Sequence, residues 1–245
     1  MPTDPLAPLL ELADVAPALA EAQARVDAAM RHRALRRQGG RVAAEISLRS
    51  AVASAGLEGH GYDLEDVRAG TVTDPVVQGA LRVYEGLGGL VDLWPRAPRQ
   101  VLARLHVLAA RDVVPPADLG RPLTGADRID ALTALVAGNE TTSPMLLAAI
   151  VHAELLTVRP FAGPAGVVAR AAARLALIAR GFDPRGLVAA EVGHASREPE
   201  YVGASNAYAT GTPDGLRSWL RHYTTAVGAG ADELVAVGDG VLATA

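Results

Sequence analysis

The chain has 245 residues, half of them apolar, with a net charge of −4 and neither cysteine nor lysine. That much apolar material can bury a full core as one large domain, or as one domain with a helical extension. The lack of cysteine excludes disulfides, thiolate catalysis and Cys-ligated metals, and the mildly acidic balance leaves no clustered basic footprint for DNA or RNA.

The N-terminus, Met1-Pro-Thr-Asp-Pro, has no basic region followed by an apolar one, so no secretory signal is read there. His152, Glu154 and Arg174 cut the longest apolar runs well short of the ~18 residues a bilayer span needs. Neither a membrane nor nucleic acid is expected as a partner, and a cytoplasmic location is.

In chain order, apolar residues recur at helical spacing from Leu6 to Leu35, through Leu9, Leu12, Val15, Leu19, Val26 and Met30. The basic run Arg31 to Arg37 reads as a solvated helix end whose arginines complement the dipole, and Gly39-Gly40 as its stop. A second helix from Arg41 carries Ile46, Leu48 and Val52 into Ser54 to Gly59, and Gly61 to Gly70 reads as a polar link. Asp74-Pro75 opens a helix running toward Leu90 and broken at Trp94-Pro95; Pro98 opens the next, through Val101, Leu105 and Leu108.

Val113 to Gly125, with Pro115, Pro116, Gly120 and Gly125, predicts an extended connection too Pro-rich for a hairpin. Asp127 to Ala137 reads as a short helix before the central unit. There, Ser143-Pro144 is an N-cap and first-turn pair for a buried helix stopped at Arg159-Pro160. A turn of Gly163 and Pro164 leads to a second helix over Val167 to Arg180, closed by Gly181. Asp183-Pro184, Pro199 and Pro213 each open a further helix, the last two covering Tyr201 to Tyr208 and Trp219 to Tyr223, and the glycine-spaced tail from Gly228 reads as frayed. The expected fold class is all-α with eight to ten helices, divided as 1–70 (N-terminal helices), 71–228 (helical core) and 229–245 (tail).

The six histidines show no metal spacing such as H-E-x-x-H, so no metal site is expected. His152 on the central helix reads as a core histidine bonded to a backbone carbonyl. Neither Ser196 with His194 nor Ser205 with His222 has the elbow of a nucleophile.

The segment Arg159 to Arg170, R-P-F-A-G-P-A-G-V-V-A-R, resembles the Fic (Fido) motif H-P-F-x-[D/E]-G-N-G-R-x-x-R without a gap, matching at Pro160, Phe161, Gly166 and Arg170. Ser54-Ala-Gly-Leu-Glu58-Gly59 is similar to the family's inhibitory pattern [S/T]-x-x-x-E-[G/N], and Glu200-Tyr201 to Asn206-Ala207-Tyr208 with Leu216 to Leu220 to its closing helices. The resemblance implies a helical Fic-like core, transfer of AMP from ATP to a protein hydroxyl, and a contact between Glu58 and Arg170. It also implies what is missing. Arg159 stands at the general-base His, Gly163 at the Mg²⁺-binding carboxylate, Ala165 at the Asn, Pro164 at the first Gly and Val167 at the first Arg.

Arginine cannot serve as a base near neutral pH, and glycine holds no metal. Arg159 reads either as a phosphate- or carboxylate-binding group or as a surface residue filling a vacated position. Three functions follow: a pseudo-enzyme serving as an interaction or regulatory module with a protein partner and no cofactor; an altered nucleotidyl- or phosphotransferase using ATP and Mg²⁺; or the inactivated toxin of a toxin–antitoxin pair. The site residues expected are Gly166, Arg170 and Arg159 around a small anion at the second helix's N-terminus, with Glu58 and Arg170 in a bidentate pair.

Overall fold

The computed structural model describes residues 4–138 and 142–244, all of them helix, turn or connection, with no strand. After a 3-10 turn at Ala7–Glu11 come α1 (Val15–Ala29), α2 (Ala34–Arg37), α3 (Gly39–Gly56), α4 (Leu64–Arg68), α5 (Pro75–Gly86) and α6 (Pro98–Ala110). Then follow α7 (Ala126–Gly138), α8 (Pro144–Val158), α9 (Ala165–Ala179), α10 (Ala190–Ala195), α11 (Glu198–Ala209) and α12 (Pro213–Ala243). Twelve α-helices among the described residues exceed the eight to ten expected because α2, α4 and α10 are only one or two turns long, too short to show a period.

Capping side chains hold two of the long helices at their N-termini. Asp74 accepts from the Val76 and Val77 amides at the start of α5, and Thr212 accepts from Gly215 at the start of α12. Ser143 occupies the N-cap of α8, but its hydroxyl makes no capping bond. The helix opened at Pro75 ends at Gly86, and a 3-10 turn, Leu87–Leu90, carries the chain toward a buried Trp94.

Several signals based on glycine and proline fail. Gly39 and Gly40 form the first turn of α3 instead of stopping a helix, and the link from Gly61 holds α4, capped by Asp63 through the Glu65 amide. Asp183-Pro184 opens no helix. Asp183 is buried and accepts from the Leu187 and Val188 amides at 2.8 and 2.7 Å, fixing a turn. The tail is not frayed. It is the last part of α12, which lies along α1, with Arg25 against Gly228 and His32 against Gly238. A Cβ at either glycine would strike those side chains, so each is a seat for a neighbour.

At the centre α8 and α9 pack on each other, and α3, α5 and α6 cover α9. Every residue of α9 from Ala165 to Leu177 is buried, two arginines included. Its alanines allow close helix approach, and one continuous hydrophobic cluster joins this pair to α1, α3, α11 and α12.

Candidate functional site

The α8–α9 turn is built from conformations its residues dictate. Arg159 sits at the C-cap of α8 in the left-handed region (φ 46°), its amide donating to Leu155 O. Pro160 then ends the helix, and Phe161 turns inward and stacks on His106, ring centroids 4.7 Å apart. His106 takes one defined tautomer. Its Nε2–H donates to Ala162 O at 2.9 Å while Nδ1 accepts from the Gly120 amide at 3.0 Å, tying the turn to the Val113–Gly125 connection. Burial pushes its pKa down. The Leu123 amide adds a second tie, donating to Pro160 O at 2.7 Å.

Gly163 has φ 73° and is exposed, with the Val113 and Val114 side chains over it. Pro164 is the N-cap of α9. Two amides of the expected anion cradle are spent within the turn, Ala165 donating to Gly163 O and Val167 to Pro164 O.

Above Gly166 lies the Glu58 carboxylate. A Cβ at Gly166 would fall 1.9 Å from Glu58 Oε1, so a side chain there would have to displace the Glu58 carboxylate from its place beside Arg170. The space directly over Gly166 is thus taken by the chain's own carboxylate.

Arg170 is 2 % exposed and donates four hydrogen bonds: Nε to Ser54 Oγ (2.8 Å), Nη2 to Ser54 O and to Glu58 Oε1 (both 2.8 Å), and Nη1 to the Tyr201 hydroxyl (3.0 Å). The Glu58 contact is therefore single and not bidentate, because Ser54 occupies the other side of the guanidinium. One turn further along α9, Arg174 repeats the arrangement. It donates to Ser50 Oγ, one turn back on α3, and to Glu191 Oε2, each at 2.7 Å, and Tyr84 donates to Glu191 Oε1. Sequence reasoning missed Arg174 and Glu191. An arginine four residues after Arg170 in an otherwise apolar helix was the available signal.

His152 is buried as expected, but its partner is the Tyr201 hydroxyl at 3.0 Å and not a backbone carbonyl. His194 Nδ1 meets His222 Nε2 at 3.0 Å, and the His152 and His222 Nδ1 atoms have no partner among the described residues. Burial lowers all three pKa values, that of His222 to about 4. A cavity of ≈ 10 Å³ beside His152, His194 and Arg174 has about the room of one water.

A larger cavity of ≈ 340 Å³ opens beside the turn, between α8, α11 and the end of α3. Glu58, Arg170 and Tyr201 lie at its inner side, Thr157, Asn206 and the exposed Arg159 toward its mouth. Glu58 is its one acidic lining residue. No described group of three or more His, Asp or Glu could hold a metal ion. The donor set at the turn does not suit Mg²⁺, since its single carboxylate already pairs with Arg170. No helix among the described residues is long and apolar enough to cross a membrane.

No protein-family model matches the sequence, nor does any curated protein. Solved structures do. A Fic family protein from Desulfovibrio desulfuricans G20 superposes with a TM-score of 0.70 at 22% identity, over 90% of this chain and 74% of that one. Fic-1 (residues 134–508) from C. elegans superposes with a TM-score of 0.72 at 18% identity, over 97% of this chain and 75% of that one.

Proposed function

We propose that this chain, whose fold is that of Fic proteins, transfers no AMP and serves as an interaction or regulatory module for a protein partner. One observation carries the reading. At the turn where the resemblance calls for a base and a metal-binding carboxylate, the structure has an exposed guanidinium at Arg159 and no side chain at Gly163. A target hydroxyl placed there would find no group able to take its proton, and the nearby carboxylate is committed to Arg170.

The two motif residues that favour a nucleotide-binding enzyme have another use here. Gly166 makes room for Glu58, and Arg170 binds Ser54, Glu58 and Tyr201. Their presence is explained by packing α3 against α9. The second reading, an altered transferase using ATP and Mg²⁺, is favoured by the ≈ 340 Å³ cavity with Arg159 at its mouth.

The experiment is incubation of the protein with labelled ATP, Mg²⁺ or Mn²⁺ and a cell lysate, in parallel with calorimetric titration of ATP. No label above blank on itself or on other proteins is expected. Metal-dependent labelling lost in Arg159→Ala would overturn the proposal.

A further inference from the structure

The backbone of Arg159 caps α8, but its side chain takes no part in the hydrogen bonding of the turn. It holds a left-handed backbone conformation, which disfavours any residue with a Cβ, and its side chain is exposed at the mouth of the ≈ 340 Å³ cavity. Among the described residues it makes no ion pair or hydrogen bond through its side chain. The cavity therefore carries two guanidiniums, Arg159 and Arg170, against one carboxylate, Glu58, and that carboxylate contacts Arg170. One positive charge is left over, facing outward.

Three of the six exposed large apolar side chains among the described residues belong to segments that touch this turn or line the cavity. Val202, 48% exposed, lines the cavity; Leu123, 63% exposed, is tied by its amide to Pro160 O; Val113, 39% exposed, lies over Gly163. Isolated exposed apolar residues need no explanation, but here they sit on three segments that converge on one turn. Val113 and Leu123 stand outside the cavity, where a small ligand filling it would leave them uncovered.

We propose that the face around Arg159 docks a segment of a partner protein in which an acidic side chain, entering the cavity to pair with Arg159, is flanked by apolar residues that cover Val202, Leu123 and Val113. The occupant is argued from charge complementarity: an unpaired guanidinium offers a carboxylate a planar, two-pronged partner, and apolar cover over the pair removes the water that would weaken it. This rests on the reading of the fold as an interaction module.

The test is a random-peptide display selection against the full chain, followed by synthesis of the enriched sequences and measurement of their affinity by fluorescence anisotropy. Enriched peptides should share an acidic position between apolar ones, and Arg159→Gln should weaken their binding by about tenfold or more. Arg159→Glu should abolish it, and a peptide with lysine at the acidic position should recover affinity for Arg159→Glu only. Thermal melts of both variants establish that they fold; Arg159→Gln keeps the test open should the reversed charge disturb the turn.

An enriched set with no acidic position, equal affinity for the Arg159 variants, or no enrichment would overturn the proposal. So would full displacement of the peptide by millimolar inorganic phosphate, succinate or ATP with the same dependence on Arg159, which would make a free small anion the occupant. Labelled-ATP assays on the same variants keep the two readings separate. Transfer of label refutes the module reading whatever the peptides do, and loss of peptide binding without transfer refutes only the docking face.

Discussion

Replacing Glu58 by alanine removes one acceptor from a guanidinium that has almost no access to water. Arg170 is 2 % exposed, and the Glu58 side chain 14 %. Breaking a fully buried ion pair costs roughly 3–5 kcal/mol, because the remaining charge has lost both water and counter-ion. Here the loss is smaller. Ser54 Oγ, Ser54 O and Tyr201 still accept from Arg170, and the adjoining cavity lets water approach the vacated position. One lost charge-assisted hydrogen bond then sets the scale, about 2–3 kcal/mol. For a chain of this size that corresponds to a fall in melting temperature of roughly 4–12 °C. Glu58→Gln, which keeps an amide oxygen for Arg170, should lose less than half as much. The assay is thermal and urea unfolding of parent and variants, with labelled-ATP incubation alongside. Glu58→Ala melting like the parent would refute a stabilising role for the Glu58–Arg170 contact, and a gain of AMP transfer in that variant would show that the contact restrains a working site.

Arg174→Ala should cost more than Glu58→Ala, about 3–5 kcal/mol, since Arg174 and Glu191 are 4 % and 2 % exposed; equal urea midpoints for the two variants would contradict this. Arg159→Gly should raise stability by about 1 kcal/mol by relieving the left-handed strain, read as a rise of roughly 2–4 °C in melting temperature. Stability should fall on acidification from about pH 6.5. His106, His152, His194 and His222 have lowered folded-state pKa values, so below their ordinary value near 6.5 the unfolded chain takes up protons the folded chain refuses. Each contributes stability that is complete above that pH and lost as pH falls toward its folded pKa, about 4 for His222. Asp183, raised by burial, acts in the opposite sense at lower pH, as one group against four. Each refused proton adds about 1.4 kcal/mol per pH unit of slope, and urea midpoints unchanged between pH 7 and pH 5 would refute the account.

Where a signal in the sequence acts on neighbouring backbone, it was legible: the Asp74 cap, the proline starts at Pro75, Pro98 and Pro213, and the stop at Arg159-Pro160 all lie at helix ends. Gly228 and Gly238 misled because their roles are set by residues far along the chain, Arg25 and His32. At the site, the motif pattern pointed to Glu58, Arg159, Gly166 and Arg170. It did not reveal that Glu58 lies over Gly166, since that depends on how α3 crosses α9, and no local spacing encodes a crossing. The His106 tautomer was illegible for the same reason: its partners, Ala162 and Gly120, are backbone groups, which every residue offers alike.

Ser50 and Ser54 are four residues apart on α3, and so are Arg170 and Arg174 on α9; each serine hydroxyl meets one guanidinium. The two helices are thus registered like the teeth of two racks. A single insertion within the Ser50–Ser54 turn would misalign a tooth and strand a buried cation. Such a coupling gives Arg170 a part in holding α3 against α9. Arg170 is therefore held by the register of two helices, a role that would be the same whether or not the turn beside it performs any chemistry.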